Sequence, residues 1–171
     1  FKLADNQFIE TVSMVMENRH TICISSQVGC NVDCDFCATG KMGFIRNLSI
    51  GEIVDQLIYV RNNVPTPITN VVFMGMGEPF LNYDRVIKSA EIFHNPRGFN
   101  LGRHRITIST AGVLPKIKLF IDEKQKFKLA ISLNASNNMT RDKVIPINKK
   151  WNIQQVIKEG KRFSLLKRRL V

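Results

Sequence analysis

Four times along this chain a short run of β-branched or apolar residues gives way to a stretch with helical spacing, and few folds accommodate that alternation. Residues 21–25 read as a first strand. Ser49 with Glu52 three residues on forms a capping box, and Ile50, Ile53, Val54, Leu57 and Ile58 keep helical spacing after it, which predicts a helix over 49–62. Val71, Val72, Phe73 and Met74 make a second strand, closed by Gly75 and Gly77. Asn82 is placed to cap a second helix with Tyr83, Val86, Ile87 and Ala90 on its apolar face, stopping before Pro96 and Gly98. Residues 105–109 alternate as a third strand, and a third helix opens near Gly112 with Pro115 in its first turn. Residues 128–133 form a fourth strand, followed by an irregular crossover around Pro146 and a helix from Asn152. The fold class is α/β with a parallel sheet of about four βα units. Residues 1–19 are expected as an extended segment packing on it, and residues 20–171 as the core.

In parallel α/β folds, ligands collect beyond the carboxyl ends of the strands. Here those ends carry a cysteine loop, then Gly75-Met76-Gly77-Glu78-Pro79, then Ser109-Thr110, then Asn134-Ala135-Ser136. Each is polar, glycine-bearing or metal-binding, so one site can draw on all four.

Within the cysteine loop, Cys30, Cys34 and Cys37 follow a C-x3-C-x2-C spacing. A four-iron cluster is normally held by four thiolates, so three closely spaced ones leave one iron open to a substrate. The alternatives are zinc with Cys23 as a fourth ligand, or buried structural thiols; the spacing lacks the paired C-x2-C of zinc sites. Cys23 itself reads as a core residue or a wall of the cavity. Met42, Met74 and Met76 read as cavity lining, because thioethers fill irregular gaps.

A formal charge of +11 and a pI near 9.8 suit a polyanionic partner such as RNA. The basic residues are dispersed, with Lys116, Lys118, Lys124, Lys126 and Lys128 in one region and Lys149, Lys150, Lys158, Lys161 and Arg162 later. A basic surface also serves solubility alone, so charge supports a class of partner and locates no site. No stretch is apolar enough to span a bilayer, and the N-terminus lacks the order of a signal peptide. A soluble cytoplasmic protein is the expectation, and a reducing cytosol suits thiolates that hold metal. The chain begins with Phe1, and Leu170 and Val171 follow the basic Lys167-Arg168-Arg169, so both ends look cut from something longer.

The cysteine run followed by βα units, with Phe36 just before the last cysteine, resembles the radical S-adenosylmethionine (radical SAM) enzymes over nearly the whole chain. The resemblance narrows to the RNA adenine methylases of the RlmN and Cfr type. It rests on Ser25-Ser26-Gln27-Val28-Gly29-Cys30, Gly43-Phe44-Ile45-Arg46-Asn47-Leu48, and Met74-Gly75-Met76-Gly77-Glu78-Pro79 with Asn82. Ser109-Thr110-Ala111-Gly112-Val113, Leu129-Ala130-Ile131-Ser132-Leu133 and Pro146-Ile147-Asn148 complete six blocks in the family's order.

That resemblance implies a partial (β/α) barrel in which Cys30, Cys34 and Cys37 ligate a [4Fe-4S] cluster. It implies that Gly77 and Glu78 meet the SAM amino group, which offers only donors, and that Ser109, Ser132 and Asn134 bind the rest of SAM. The family usually carries histidine at the position of Asn134. Glu10, in Glu10-Thr11-Val12 upstream of the cluster, matches the family's proton acceptor; the other reading is a solvated carboxylate near the terminus. Arg46 and Asn47 either touch RNA phosphate or brace the loop. The family's chemistry moves a methyl group from SAM to a C-terminal cysteine, then through a 5′-deoxyadenosyl radical to C2 (C8 in Cfr) of an adenine. Its substrates are 23S rRNA and/or tRNA, its reductant a flavodoxin or ferredoxin, and a monomer is expected. The acceptor cysteine and the later strands are not in this sequence. A non-methylating RNA-binding remnant, or another radical SAM enzyme on the same scaffold, are the competing readings.

Overall fold

The structure, a computed structural model, describes residues 1–167 and Val171; Arg168, Arg169 and Leu170 of the basic C-terminal run lie outside the described residues. In chain order the first elements are β1 (Val12–Met16), β2 (Arg19–Cys23), β3 (Gln27–Gly29), α1 (Ala38–Lys41), β4 (Phe44–Asn47) and α2 (Ile50–Asn63). They are followed by β5 (Asn70–Phe73), α3 (Tyr83–His94), β6 (Ile106–Thr110), α4 (Leu114–Asp122), β7 (Lys128–Ile131), α5 (Asn138–Val144) and α6 (Ile153–Lys167).

One five-stranded sheet runs in the order β1-β2-β5-β6-β7. The β2-β5, β5-β6 and β6-β7 pairs are parallel, as the strand-helix alternation requires, and β1 is an antiparallel edge strand joined to β2 by a hairpin. The extended segment expected before residue 20 thus contains β1, and β2 begins at Arg19. Alternation along the strands sorts the two faces. Ile22, Val71, Phe73, Ile106, Ile108 and Leu129 are buried and share one core with Ile53, Leu57, Val86, Phe93, Ile117, Phe120, Val156 and Phe163 of the helices. On the other face Cys23, Val72, Thr107, Ser109 and Ala130 are half-buried.

The helix starts obey their sequence signals with one exception. Ser49 Oγ accepts from the Glu52 amide at 3.2 Å while Glu52 returns a bond to the Ser49 amide at 2.8 Å, completing the capping box of α2. Pro115 lies in the first turn of α4. Asn82 stands at the N-cap position of α3 but does not cap it. Pro79 starts a 3-10 turn over Pro79–Asn82 that Glu78 caps, so the Asn82 amide turns inward and donates to the Ser26 and Leu48 carbonyls, each at 2.9 Å. Among the described residues no helix is long and apolar enough to cross a membrane.

Candidate active site at the strand ends

The cysteine loop is closed at its base by β3 and β4, which pair antiparallel as a separate two-stranded ribbon. The Cys30 amide donates to the Gly43 carbonyl at 2.9 Å. Gly29 has a φ of +72°, and a Cβ there would fall 1.8 Å from the Gly43 oxygen, so only glycine lets the two ends approach. Inside the loop the Cys37 amide donates to the Cys34 carbonyl at 3.0 Å, and the Asp35 amide reaches the Val144 carbonyl at 3.0 Å, tying the loop to the end of α5.

The strand ends meet that loop in one cavity of about 290 Å³. Cys30, Cys34 and Cys37 line it together with Met74, Gly75, Gly77, Glu78, Ser109 and Ser132. A larger recess of about 760 Å³ along α6 is walled by Ile157, Leu165, Leu166 and lysines and includes none of the candidate residues.

Gly77 has a φ of +98°, and a Cβ there would sit 2.5 Å from Cβ of Gln27. That close approach lets the Gln27 amide oxygen accept from the Glu78 amide at 2.8 Å, while its nitrogen donates to Asn47 at 2.7 Å. The Glu78 carboxylate is buried and accepts from the Phe80 amide at 2.9 Å and the Ala111 amide at 2.7 Å. Burial pushes its pKa up, against the pull of those two amides and the Thr110 hydroxyl.

Two residues that sequence reasoning gave no role turn out to hold the far wall. Arg141, fully buried, donates to the carbonyls of Ala111 at 2.6 Å, Ser132 at 3.1 Å and Leu133 at 3.0 Å, and to Asn148 Oδ1 at 2.8 Å. Asn148 passes the restraint on to Asn138 and Asp142. Burial lowers the pKa of Arg141. Asn148 sat in a family block, whereas Arg141 carried no local signal: its contacts come from elements up to 30 positions apart.

Other candidates lie elsewhere. Glu10 and Asn134 are both exposed, Asn134 at a φ of 53°, and neither lines the cavity. Cys23 also lies outside the lining, so three thiols and not four face the space. Of the methionines expected there, only Met74 lines it; Met76 is buried in the core and Met42 is exposed. Arg46 braces: its guanidinium makes a two-pronged contact with Glu52 at 2.8 and 2.9 Å and donates to Asp5 at 2.7 Å. Asn47 accepts from Gln27 and donates to the Leu81 carbonyl at 3.4 Å, also within the protein.

Three thiols that face one cavity are the donor type an iron-sulfur cluster takes. Among the described residues no three His, Cys, Asp or Glu side chains form a group that could hold one metal ion. The Cys34 thiol is pushed up to about 11, first by burial and then by the charges of Cys30, Cys37 and Glu78, with Arg141 opposing. Bound iron would offset that mutual repulsion and keep the thiolates deprotonated.

The family model described as the radical SAM superfamily matches residues 24–164. A probable dual-specificity RNA methyltransferase RlmN of Pseudothermotoga lettingae is 46% identical over 164 residues, covering 96% of this chain and 48% of that protein. The dual-specificity RNA methyltransferase RlmN of Nautilia profundicola is 44% identical over 185 residues, covering 100% and 52%. The crystal structure of a radical SAM methyltransferase from Sphaerobacter thermophilus superposes with a TM-score of 0.93 at 42% identity, covering 98% of this chain and 50% of that one. The chain spans about half the length of the curated relatives it matches. With three thiols, the Gly75–Glu78 turn and two strand-end serines around one cavity, and with that family's model spanning most of its length, this chain belongs to the radical SAM superfamily.

Proposed function

We propose that this chain is the cluster- and SAM-binding half of an enzyme that methylates C2 of an adenine in 23S rRNA and/or tRNA. The observation that carries the reading is the single cavity in which Cys30, Cys34 and Cys37 face Gly77, Glu78, Ser109 and Ser132. A [4Fe-4S] cluster with SAM supplies the one-electron chemistry that an unreactive aromatic carbon requires. In this reading the three cysteines hold the cluster. The Gly77 peptide and the Glu78 carboxylate take the SAM amino group, and Ser109 and Ser132 take its remaining polar groups, with Asn134 at the rim. Glu10 accepts the proton that the methylated ring must lose. It precedes β1, whose first residue Val12 pairs with Cys23 at the carboxyl end of β2, so it lies at the same end of the sheet as the cavity.

The methyl-carrying cysteine is assigned to the part of the relatives' length beyond this sequence. Cys23 does not fill that role: it is half-buried off the cavity, and burial raises its thiol pKa. The same reading assigns an RNA substrate, a flavodoxin or ferredoxin as reductant, a monomeric state and a cytoplasmic location.

Anaerobic reconstitution with iron and sulfide tests the cluster: four irons per chain and broad absorbance near the blue are expected, both abolished by Cys34→Ala. Stoichiometric zinc without that absorbance would sink the proposal at its base. For the full-length protein, 2-methyladenosine in RNA that disappears on gene deletion is the expected outcome. SAM cleavage without any methylated adenine would favour another radical SAM enzyme, and RNA binding with neither would favour the remnant.

A further inference from the structure

The backbone on both sides of Glu10 is tied to the buried end of β2. Continuing the β1-β2 register past Val12 and Cys23 sets Glu10 opposite Ser25. Ser25 is fully buried, and its Oγ donates to the Glu10 carbonyl at 2.6 Å while accepting from the Met76 amide at 2.9 Å. One hydroxyl thus joins the Glu10 strap to the Gly75–Glu78 turn that walls the cavity. On the next residue, the Thr11 hydroxyl donates to Gln56 Oε1 at 2.7 Å. Gln56, 1% exposed on α2, accepts at the same oxygen from the Ser25 amide at 2.8 Å and donates from its nitrogen to the Ser25 and Glu52 carbonyls at 3.0 and 3.2 Å. Its amide is saturated by these four bonds. On the other side Ile9 is 2% exposed within the core.

By contrast, among the described residues no hydrogen bond or ion pair holds the Glu10 carboxylate itself. Its position is therefore set by its backbone, and the backbone by this junction. We infer that Ser25, Gln56 and Thr11 are positioning residues that fix Glu10 relative to the Gly75–Glu78 turn. The inference rests on the role proposed for Glu10 and assigns that role a structural cause. A base must stay within hydrogen-bond reach of the proton it takes, and small displacements cost rate steeply. A polar junction buried between a strap and a cofactor turn, with every donor and acceptor matched, specifies one relative placement of the two.

Thr11→Val separates this role from a general structural one, because it keeps the side chain's shape, removes the hydroxyl, and leaves Ser25 and Met76 joined. In the full-length holoenzyme with SAM and RNA, Thr11→Val should lower kcat for methylation about tenfold with iron content and the KM for RNA unchanged. Methylated adenine formed per 5′-deoxyadenosine released should fall as well. Thr11→Ser, which restores the hydroxyl, should recover both. Ser25→Ala should show the same uncoupling and, through the Met76 amide, weaker SAM binding. Wild-type kcat and product ratio in Thr11→Val, when Glu10→Gln has lost turnover, would overturn the positioning role alone. So would a fall in Thr11→Val iron content parallel to its fall in rate. Wild-type turnover in Glu10→Gln would instead overturn the assignment of the base, and the positioning role with it.

Discussion

Glu78 accepts a hydrogen bond at 2.7 Å from the backbone amide of Ala111, a residue just beyond the end of the neighbouring parallel strand. The Ala111 carbonyl is held in turn by Arg141 at 2.6 Å, so the two peptide groups that flank the Ala111 Cα are each held by a buried charged side chain. A residue that the family resemblance offers as a cofactor contact is thus also a structural member of the cavity wall.

The two Glu78 oxygens serve different backbone donors, the Phe80 amide at one and the Ala111 amide at the other. In Glu78→Gln one oxygen becomes an NH2 group that faces an N–H and cannot accept from it. Leaving a buried amide unpaired costs about 1–3 kcal/mol, and relief of the desolvated charge offsets only part of that. The urea midpoint of the variant should fall at neutral pH with the m-value unchanged. An unchanged or higher midpoint would show that the carboxylate is not needed as a double acceptor.

Arg46 draws Asp5 and Glu52 together, and its guanidinium holds both carboxyls below their ordinary range, chiefly through its hydrogen bonds to them. A folded pKa depressed below the unfolded one gives stability that is fully present above the unfolded value and lost as pH falls through the folded value. Unfolded carboxyls titrate near about 4, so the loss belongs to the acid side, from about pH 5 downward. Urea midpoints measured from pH 7 to pH 3 should fall more steeply for the wild type than for Arg46→Met. Parallel curves would mean that the pair adds nothing to acid stability. Below pH 4, proteolytic nicking of residues 1–9 should also rise, because Asp5 anchors that segment.

What could be read from the sequence divides by how local its cause is. The strands β2, β5, β6 and β7 were legible because alternation and β-branched residues act over a few positions, and the capping box of α2 needs only Ser49 and Glu52. Three of the four strand ends, the cysteine loop, the Gly75–Glu78 turn and Ser109, converge on one cavity as the strand order implied, whereas Asn134, Ala135 and Ser136 at the fourth do not line it. The ribbon of β3 and β4 was not legible, since three residues carry no period and the partner lies beyond the whole cysteine loop. Asn82 departs from its capping signal because the Glu78-Pro79 turn fixes the start of α3 and leaves its amide to buried carbonyls. Arg141 reads as a surface charge until α5, β6 and β7 meet around it. Side-chain direction in the loops, as for Met42 and Met76, is likewise decided by packing that no short window contains.

The closing of the cysteine loop gives a sharper test, because two glycines face each other with the same backbone strain and different surroundings. Gly29 and Gly43 have φ of +72° and +73°, a region that costs an L-residue about 1–2 kcal/mol. A Cβ on Gly43 meets nothing within 4 Å, whereas one on Gly29 would fall inside the Gly43 carbonyl oxygen at 1.8 Å. Gly43→Ala should therefore pay the conformational cost alone and still take up iron. Gly29→Ala must also separate β3 from β4, breaking the bond from the Cys30 amide to the Gly43 carbonyl and pulling Cys30 away from Cys34 and Cys37. After anaerobic reconstitution its iron content should drop well below that of Gly43→Ala, while far-UV circular dichroism shows the five-stranded sheet intact. Equal iron content in the two variants would mean that the ribbon does not set the spacing of the thiols.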